Sequence, residues 1–300
     1  MPSRTSSGAS GDSAEPESRP SANDCVLRTR LATAAVAIPL LVWLIVWNPA
    51  SLFNWLVGTA SLVGVAEFCF MAFPTDMFDR GFGMAAGALI LMAMLVPTQE
   101  RFAMALAAVV IAGLVLALAR KDDLRHGVDA LGLTLLGSLY AAFLLPHYVW
   151  MHTLPDPVVA GGEPGGWRWV ILTVVIAMAG DVGGYFGGRW FGRHKLMPSV
   201  SPGKTMEGSA AAVLANLLGS AFCKLAFFQT LGWHEVVGLG LAVGCLAQVG
   251  DLCESMLKRA FGAKDSGWII PGHGGVLDRI DSLVFPAPLV YYYARFFFRH

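Results

Sequence analysis

Apolar runs long enough, or nearly long enough, to cross a bilayer recur along the whole chain, and they decide its fold class. Nine are readable, at about 31–47, 49–72, 82–97, 102–119, 128–151, 167–188, 206–229, 234–254 and 281–298. A transmembrane helix needs roughly 20 mainly apolar residues, and the third and last runs are the weakest matches. Breaks fall at Asn48-Pro49, Pro74, Pro97, the charged run Arg120 to Arg125, and Pro155 with Gly161-Gly162. The expected architecture is therefore all-α, a polytopic integral membrane protein of about nine helices with a cytoplasmic N-terminus. Composition agrees: of 300 residues 55% are hydrophobic and only 14% charged, with mean hydropathy +0.59. A soluble domain carries about a quarter charged residues.

Three regions follow. Residues 1–26, rich in Ser, Gly, Pro, Asp and Glu, read as a disordered polar tail. No signal peptide is expected, because the first apolar run starts after Arg30 and is long enough to stay as a helix. Residues 27–165 read as N-terminal transmembrane helices, and 166–300 as a site-bearing transmembrane region with polar loops. The five cysteines are scattered without a zinc spacing, and all but Cys25 read as small buried hydrophobes.

Charge placement orients the spans. With the N-terminus in the cytoplasm, sixteen of the 21 Lys and Arg fall on that face, and four (Arg101, Arg168, Arg295, Arg299) on the other. Both polar loops, 189–205 and 255–280, then face the cytoplasm, where nucleotides and magnesium are found.

Three clusters need a reason. Asp181, Tyr185 and Gly188 are spaced i, i+4, i+7, one face of a helix. The glycines at 183, 184, 187 and 188 suit close helix packing; Asp181 within a span is costly and is a candidate for a polar cavity. In Ser201-Pro-Gly-Lys-Thr-Met-Glu-Gly208, Ser201 reads as a helix cap with Pro202 in the first turn. Lys204 and Thr205 would then flank a phosphate-binding helix N-terminus. A Walker A reading of Gly203-Lys-Thr205 fails, since Pro198 stands where the loop needs glycine.

The third cluster is the polar run 251–282, flanked by apolar segments. It holds Asp251, Asp265, Asp278 and Asp281, the cations Lys258, Arg259, Lys264 and Arg279, and the turn Pro271-Gly-His-Gly-Gly275. Carboxylates for a divalent metal, cations for phosphate and glycines that bring N–H groups to an anion are what phosphoryl or nucleotidyl transfer needs. If the eighth helix continues past Gly250, Asp251, Glu254 or Ser255, and Lys258 share one face. His273 reads as a loop residue, with no partner for a zinc site.

These residues resemble a known family. Ser255-Met-Leu-Lys258-Arg259, Lys264-Asp265-Ser-Gly267, Pro271 to Gly275 and Leu277-Asp278-Arg279-Ile-Asp281-Ser282 resemble the motif of phosphatidate cytidylyltransferases, the CDP-diacylglycerol synthases. Asp181-x-x-x-Tyr185-x-x-Gly-Arg189 and Ser201-Pro202-x-Lys204-Thr205-x-Glu207-Gly208 resemble it too, in the same order. The likeness covers roughly 165–290; Gly203 and Met206 depart from it, where Lys and Trp are more usual. The resemblance implies a membrane enzyme, commonly a homodimer, that converts CTP and phosphatidate to CDP-diacylglycerol and pyrophosphate, with no nucleic-acid partner. It implies Mg²⁺ as cofactor, with a second, monovalent cation as a further expectation, and a bacterial inner-membrane location with the site facing the cytoplasm. Carried over by position, Asp251 and Asp278 would be metal ligands and, with Lys258, Arg259, Lys264 and Arg279, the catalytic set. Asp181, Ser201, Lys204, Thr205, Glu207, Asp265, Gly274, Gly275 and Asp281 make up the substrate-binding candidates.

Rival readings are a CTP-dependent lipid kinase, a cytidylyltransferase for another lipid phosphate, and a transporter using Asp181, Glu67 and Glu207 as ion-path residues. The DGxxAR pattern of CDP-alcohol phosphotransferases is absent.

Overall fold

A computed structural model describes residues 39–47, 50–96, 99–120, 124–156, 165–267 and 274–298. The polar tail, residues 31–38 of the first apolar run and the Pro271-Gly-His273 part of the turn lie outside them. Two units are distinguished, Met1–Trp43 and Leu44–His300. Of the first only 39–43 are described, as helix; everything below concerns the second.

Helices dominate this unit. They are α1 (Ala50–Ala72), α2 (Met77–Leu95), α3 (Gln99–Ala119), α4 (Leu124–Gly137), a π-helical segment (Ser138–Leu144), α5 (His147–His152), α6 (Trp167–Phe191), α7 (Met206–Ala226), α8 (Trp233–Ala260), α9 (Leu277–Val284) and α10 (Pro286–Phe296). Among the described residues seven helical stretches are long and apolar enough to cross a membrane, the continuous Leu124–His152 run among them. That run changes from α to π helix just before Pro146. Proline lacks the N–H that would continue the ladder and crowds the preceding turn, so the backbone widens there. The last expected span, 281–298, is divided: α9 and α10 meet at Phe285, where Pro286 interrupts the hydrogen bonding.

Large apolar side chains cover the outside. On α3, Met104, Ile111 and Leu118, two turns apart, are 71%, 63% and 74% exposed. Such a stripe facing water would be untenable, whereas lipid accepts it. Inside, Val65, Ile90, Met94, Trp169, Leu172, Ile176, Val243 and Val290 form one continuous core. Cys69 and Cys223 are buried as expected, while Cys245 is exposed.

The helices that carry the site pack through glycine. α6 makes its largest contact with α7; a Cβ on Gly208 would lie 2.8 Å from the Gly184 carbonyl, and one on Gly184 would lie 3.4 Å from the Ala212 Cβ. The packing expected of the α6 glycines is therefore what they do. Between α6 and α7 the chain forms a two-stranded antiparallel hairpin, β1 (Lys195–Met197) with β2 (Ser201–Thr205). This corrects the expected helix start. Ser201 lies in a strand, and α7 begins four residues later with Thr205 as its cap, whose Oγ1 accepts from Gly208 N at 3.1 Å. Pro202 is tolerated because a two-stranded ribbon is all edge. Losing an N-cap hydroxyl costs about 1 kcal/mol, so Thr205→Ala is expected to lower the thermal stability of the purified protein by that order.

Polar contacts also tie together segments that the charge bias assigns to one face. Arg120, at the end of α3, forks onto Asp79 at the start of α2 (2.9 and 2.5 Å), and Glu67, near the end of α1, reaches residues 266 to 277.

Candidate active site

α6, α7, α8 and β2 enclose a cavity of about 690 Å³, within the size range of small-molecule sites. Asp181, Tyr185 and Gly188 line it from α6, so the face read from their spacing is the face that meets the cavity. Arg189, Lys204, Thr205, Ser209, Gln248 and Asp251 supply the remaining polar lining. Lys204 Nζ meets Asp251 Oδ2 at 2.6 Å, both side chains partly exposed. Arg189 donates to Tyr185 Oη at 3.1 Å, and Ser209 Oγ donates to Gln248 Oε1.

α9 packs against α6 and α8, two of the helices that line this cavity. Ser282 Oγ donates to Asp181 Oδ2 at 3.1 Å, and Ser282 N donates to Asp281 at 2.7 Å. The charges of Asp251 and Asp181 both act on Asp281. α9 comes this near because Gly250 has no side chain: a Cβ there would lie 2.5 Å from the Asp281 carbonyl. Three carboxylates from three helices thus converge with Lys204 bonded to one of them.

A second polar cluster sits on the far turns of α8. The helix runs unbroken to Ala260, as the shared face of Asp251, Glu254 and Lys258 requires. Lys258 Nζ lies 2.5 Å from Asp278 Oδ1 and 2.6 Å from Glu254 Oε2. Glu254 is 1% exposed. Asp278 Oδ2 accepts from Ser266 N (2.9 Å), Ser266 Oγ (3.0 Å) and Gly275 N (3.0 Å). Partial burial works against the Asp278 charge, but the Lys258 ammonium and the Ser266 and Gly275 N–H groups outweigh it and hold the carboxyl below the usual carboxylate range.

Several residues expected at the site are engaged by protein partners. The oxygens of Asp278, expected to share a metal with Asp251, accept from protein donors here, and Asp181 and Asp281 are carboxylates within electrostatic reach of Asp251. Gly275 N, expected to meet a leaving pyrophosphate, is spent on Asp278. Gly274 has φ +78°, which suits glycine, and a Cβ on it would lie 3.2 Å from Asp278 Oδ2. Glu207 braces the turn after α6, accepting from Arg193 N at 3.0 Å and meeting His194 Nδ1 at 2.6 Å. Thr205 caps α7 and also lines the cavity. Lys264, Asp265, Arg259 and Arg279 are exposed, and the Arg259 guanidinium lies near the Val200 carbonyl at 3.5 Å. Gln248, Ser209 and the burial of Glu254 were not anticipated. The available signal was a polar side chain inside an apolar run.

Apolar-sheathed helices around a cavity of carboxylates, cations and glycines define an integral membrane protein with a polar site between its helices. The match that particularises it spans residues 28–297: the chain belongs to the cytidylyltransferase family. It is 34% identical over 278 residues to a phosphatidate cytidylyltransferase of Brucella suis biovar 1 (strain 1330), covering 90% of this chain and 94% of that one. Proteins of the same name from Synechocystis sp. (strain ATCC 27184 / PCC 6803 / Kazusa) and Bacillus subtilis (strain 168) match over shorter stretches. The first is 45% identical over 134 residues (43% of this chain, 44% of the relative), the second 32% over 164 (55% and 58%).

Proposed function

We propose that this protein transfers CMP from CTP to phosphatidate, giving CDP-diacylglycerol and pyrophosphate for phospholipid synthesis. The observation that carries this reading is the presence of Asp181, Asp251 and Lys204 on the wall of a cavity between membrane-spanning helices, with Asp281 within electrostatic reach, in a chain that matches a phosphatidate cytidylyltransferase over nearly its full length.

The lipid phosphate is itself an anionic nucleophile, so no Ser or Cys has to be activated. Its oxygen attacks the α-phosphorus of CTP in line, the bond to the β-phosphate oxygen breaks, and pyrophosphate leaves. The obstacle is the approach of two anions. Lys204 and Arg189, on the cavity wall, offer positive charge to the phosphates. A cleft between spans would receive the acyl chains, so that the lipid need not leave the bilayer.

The carboxylates fit a hard divalent cation, which takes oxygen ligands from a few carboxylates and substrate phosphates. We place Mg²⁺ at Asp251, with Asp281 and Asp181 as its neighbours, and assign Asp278 to holding the loop that precedes α9. When bound, the ion would offset charge developing on the triphosphate. Oxygens of Asp181 or Asp281 outside that shell could serve a monovalent cation.

The bias of positive residues supports an inner-membrane enzyme whose site faces the cytoplasm, and a homodimer is the expected assembly. Purified protein in detergent, given phosphatidate, CTP and Mg²⁺, is expected to form CDP-diacylglycerol and pyrophosphate in equal amounts. Absence of both products from folded protein would overturn the reading.

A further inference from the structure

The buried carboxylate of Glu67 has no part in the chemistry above, although it is only 2% exposed and lies on α1, outside the region 165–290 that carries the motifs. Its Oε1 accepts from Val276 N at 2.9 Å, and its Oε2 accepts from Leu277 N at 2.8 Å and lies 3.2 Å from Ser266 Oγ. Ser266 and Val276 lie in the polar loop between α8 and α9, and Leu277 opens α9. One side chain from the N-terminal helices therefore ties that loop at its neck.

The fit around the carboxylate is close on both sides. A Cβ on Gly267 would lie 2.7 Å from Glu67 Cδ, and one on Gly275 would lie 2.7 Å from Oε2. Glycine at 267 and 275 is what allows both loop ends to close on Glu67. Val276 N and Leu277 N belong to the first turn of α9 and have no partner within the helix, so a buried acid that accepts from them caps it.

The Ser266 hydroxyl connects this clamp to Asp278. It lies 3.2 Å from Glu67 Oε2 and 3.0 Å from Asp278 Oδ2, and accepts from Asp278 N at 3.3 Å. A hydroxyl has one proton, so it serves one carboxylate at a time while its position binds both. Asp278 in turn meets Lys258.

We infer that Glu67 is a positioning residue for cytidylyl transfer: it acts through Ser266 and the first turn of α9 to hold Asp278 and Asp281 in register with Asp251. The kinetic half of this inference rests on the proposed activity; the structural half does not.

Glu67→Gln keeps the shape but replaces one acceptor with an NH₂ donor. Whichever way the amide sits, it faces an N–H group. Removing such an outer partner typically costs about 10–100-fold in activity, expected here in kcat per folded molecule, with KM for CTP and phosphatidate unchanged. In parallel, tryptic cleavage of the detergent-purified protein after Lys264, which is exposed, should speed up several-fold as the loop opens more often. If the wild-type protein transfers no cytidylyl group, the proposed activity falls and the cleavage rate alone decides the clamp. Should Glu67→Gln not fold, Ser266→Ala removes the bridge without altering α1, and the same two changes are expected, smaller. Wild-type kcat and wild-type cleavage in a folded variant would overturn the inference. So would a lowered melting temperature with unchanged kcat, because that is what a purely structural residue gives.

Discussion

Asp251→Asn is expected to reduce cytidylyl transfer by about 10²–10³-fold, the size of effect seen when one electrostatic contact to a transition state is removed. Asp251 stands where α8 meets the cavity, bonded to Lys204 at 2.6 Å and close enough to Asp281 to influence its charge. The side chain is partly exposed, so the amide should be accommodated and the protein should remain folded. The half-saturating Mg²⁺ concentration tests the role further. It should rise in Asp251→Asn. In Asp278→Asn, by contrast, kcat should fall with the Mg²⁺ dependence unmoved, because the Asp278 oxygens are engaged by Lys258, Ser266 and Gly275. A shift in Mg²⁺ dependence for Asp278→Asn and none for Asp251→Asn would reverse the two assignments.

The largest stability effect is expected from Lys258→Met. Lys258 is the cation in contact with both Glu254 and Asp278, and all three side chains are largely buried. Taking one partner from a buried ionic group leaves uncompensated charge and typically costs about 3–5 kcal/mol. Thermal unfolding in detergent should show that loss. A Lys258→Met protein as stable as the wild type would mean that the cluster contributes nothing to the fold.

The helical architecture was legible because lipid leaves a chain few choices: runs such as 102–119 and 206–229 carry no competing signal. The α6 face was legible for the same reason, since Asp181, Tyr185 and Gly188 stand out against apolar neighbours at helical spacing. Helix ends were less so. Ser201-Pro202 has the chemistry of a helix start, and only the pairing of Lys195–Met197 with Ser201–Thr205, a tertiary fact, moves the start to Met206. Carboxylate roles were least legible. A sequence shows that Asp251, Asp278 and Asp281 are near one another along the chain. It does not show that Lys258 and a serine hydroxyl absorb one of them, nor that Glu67, some two hundred residues earlier, closes the loop between them.

The central claim is that the α-phosphorus of CTP ends up on the lipid. Incubating the purified protein with phosphatidate, Mg²⁺ and CTP labelled at either the α- or the γ-phosphate tests this directly. The account predicts label in the lipid product from α-labelled CTP alone, with γ-label recovered in pyrophosphate. Label in the lipid from γ-labelled CTP would mark a kinase, and would contradict it.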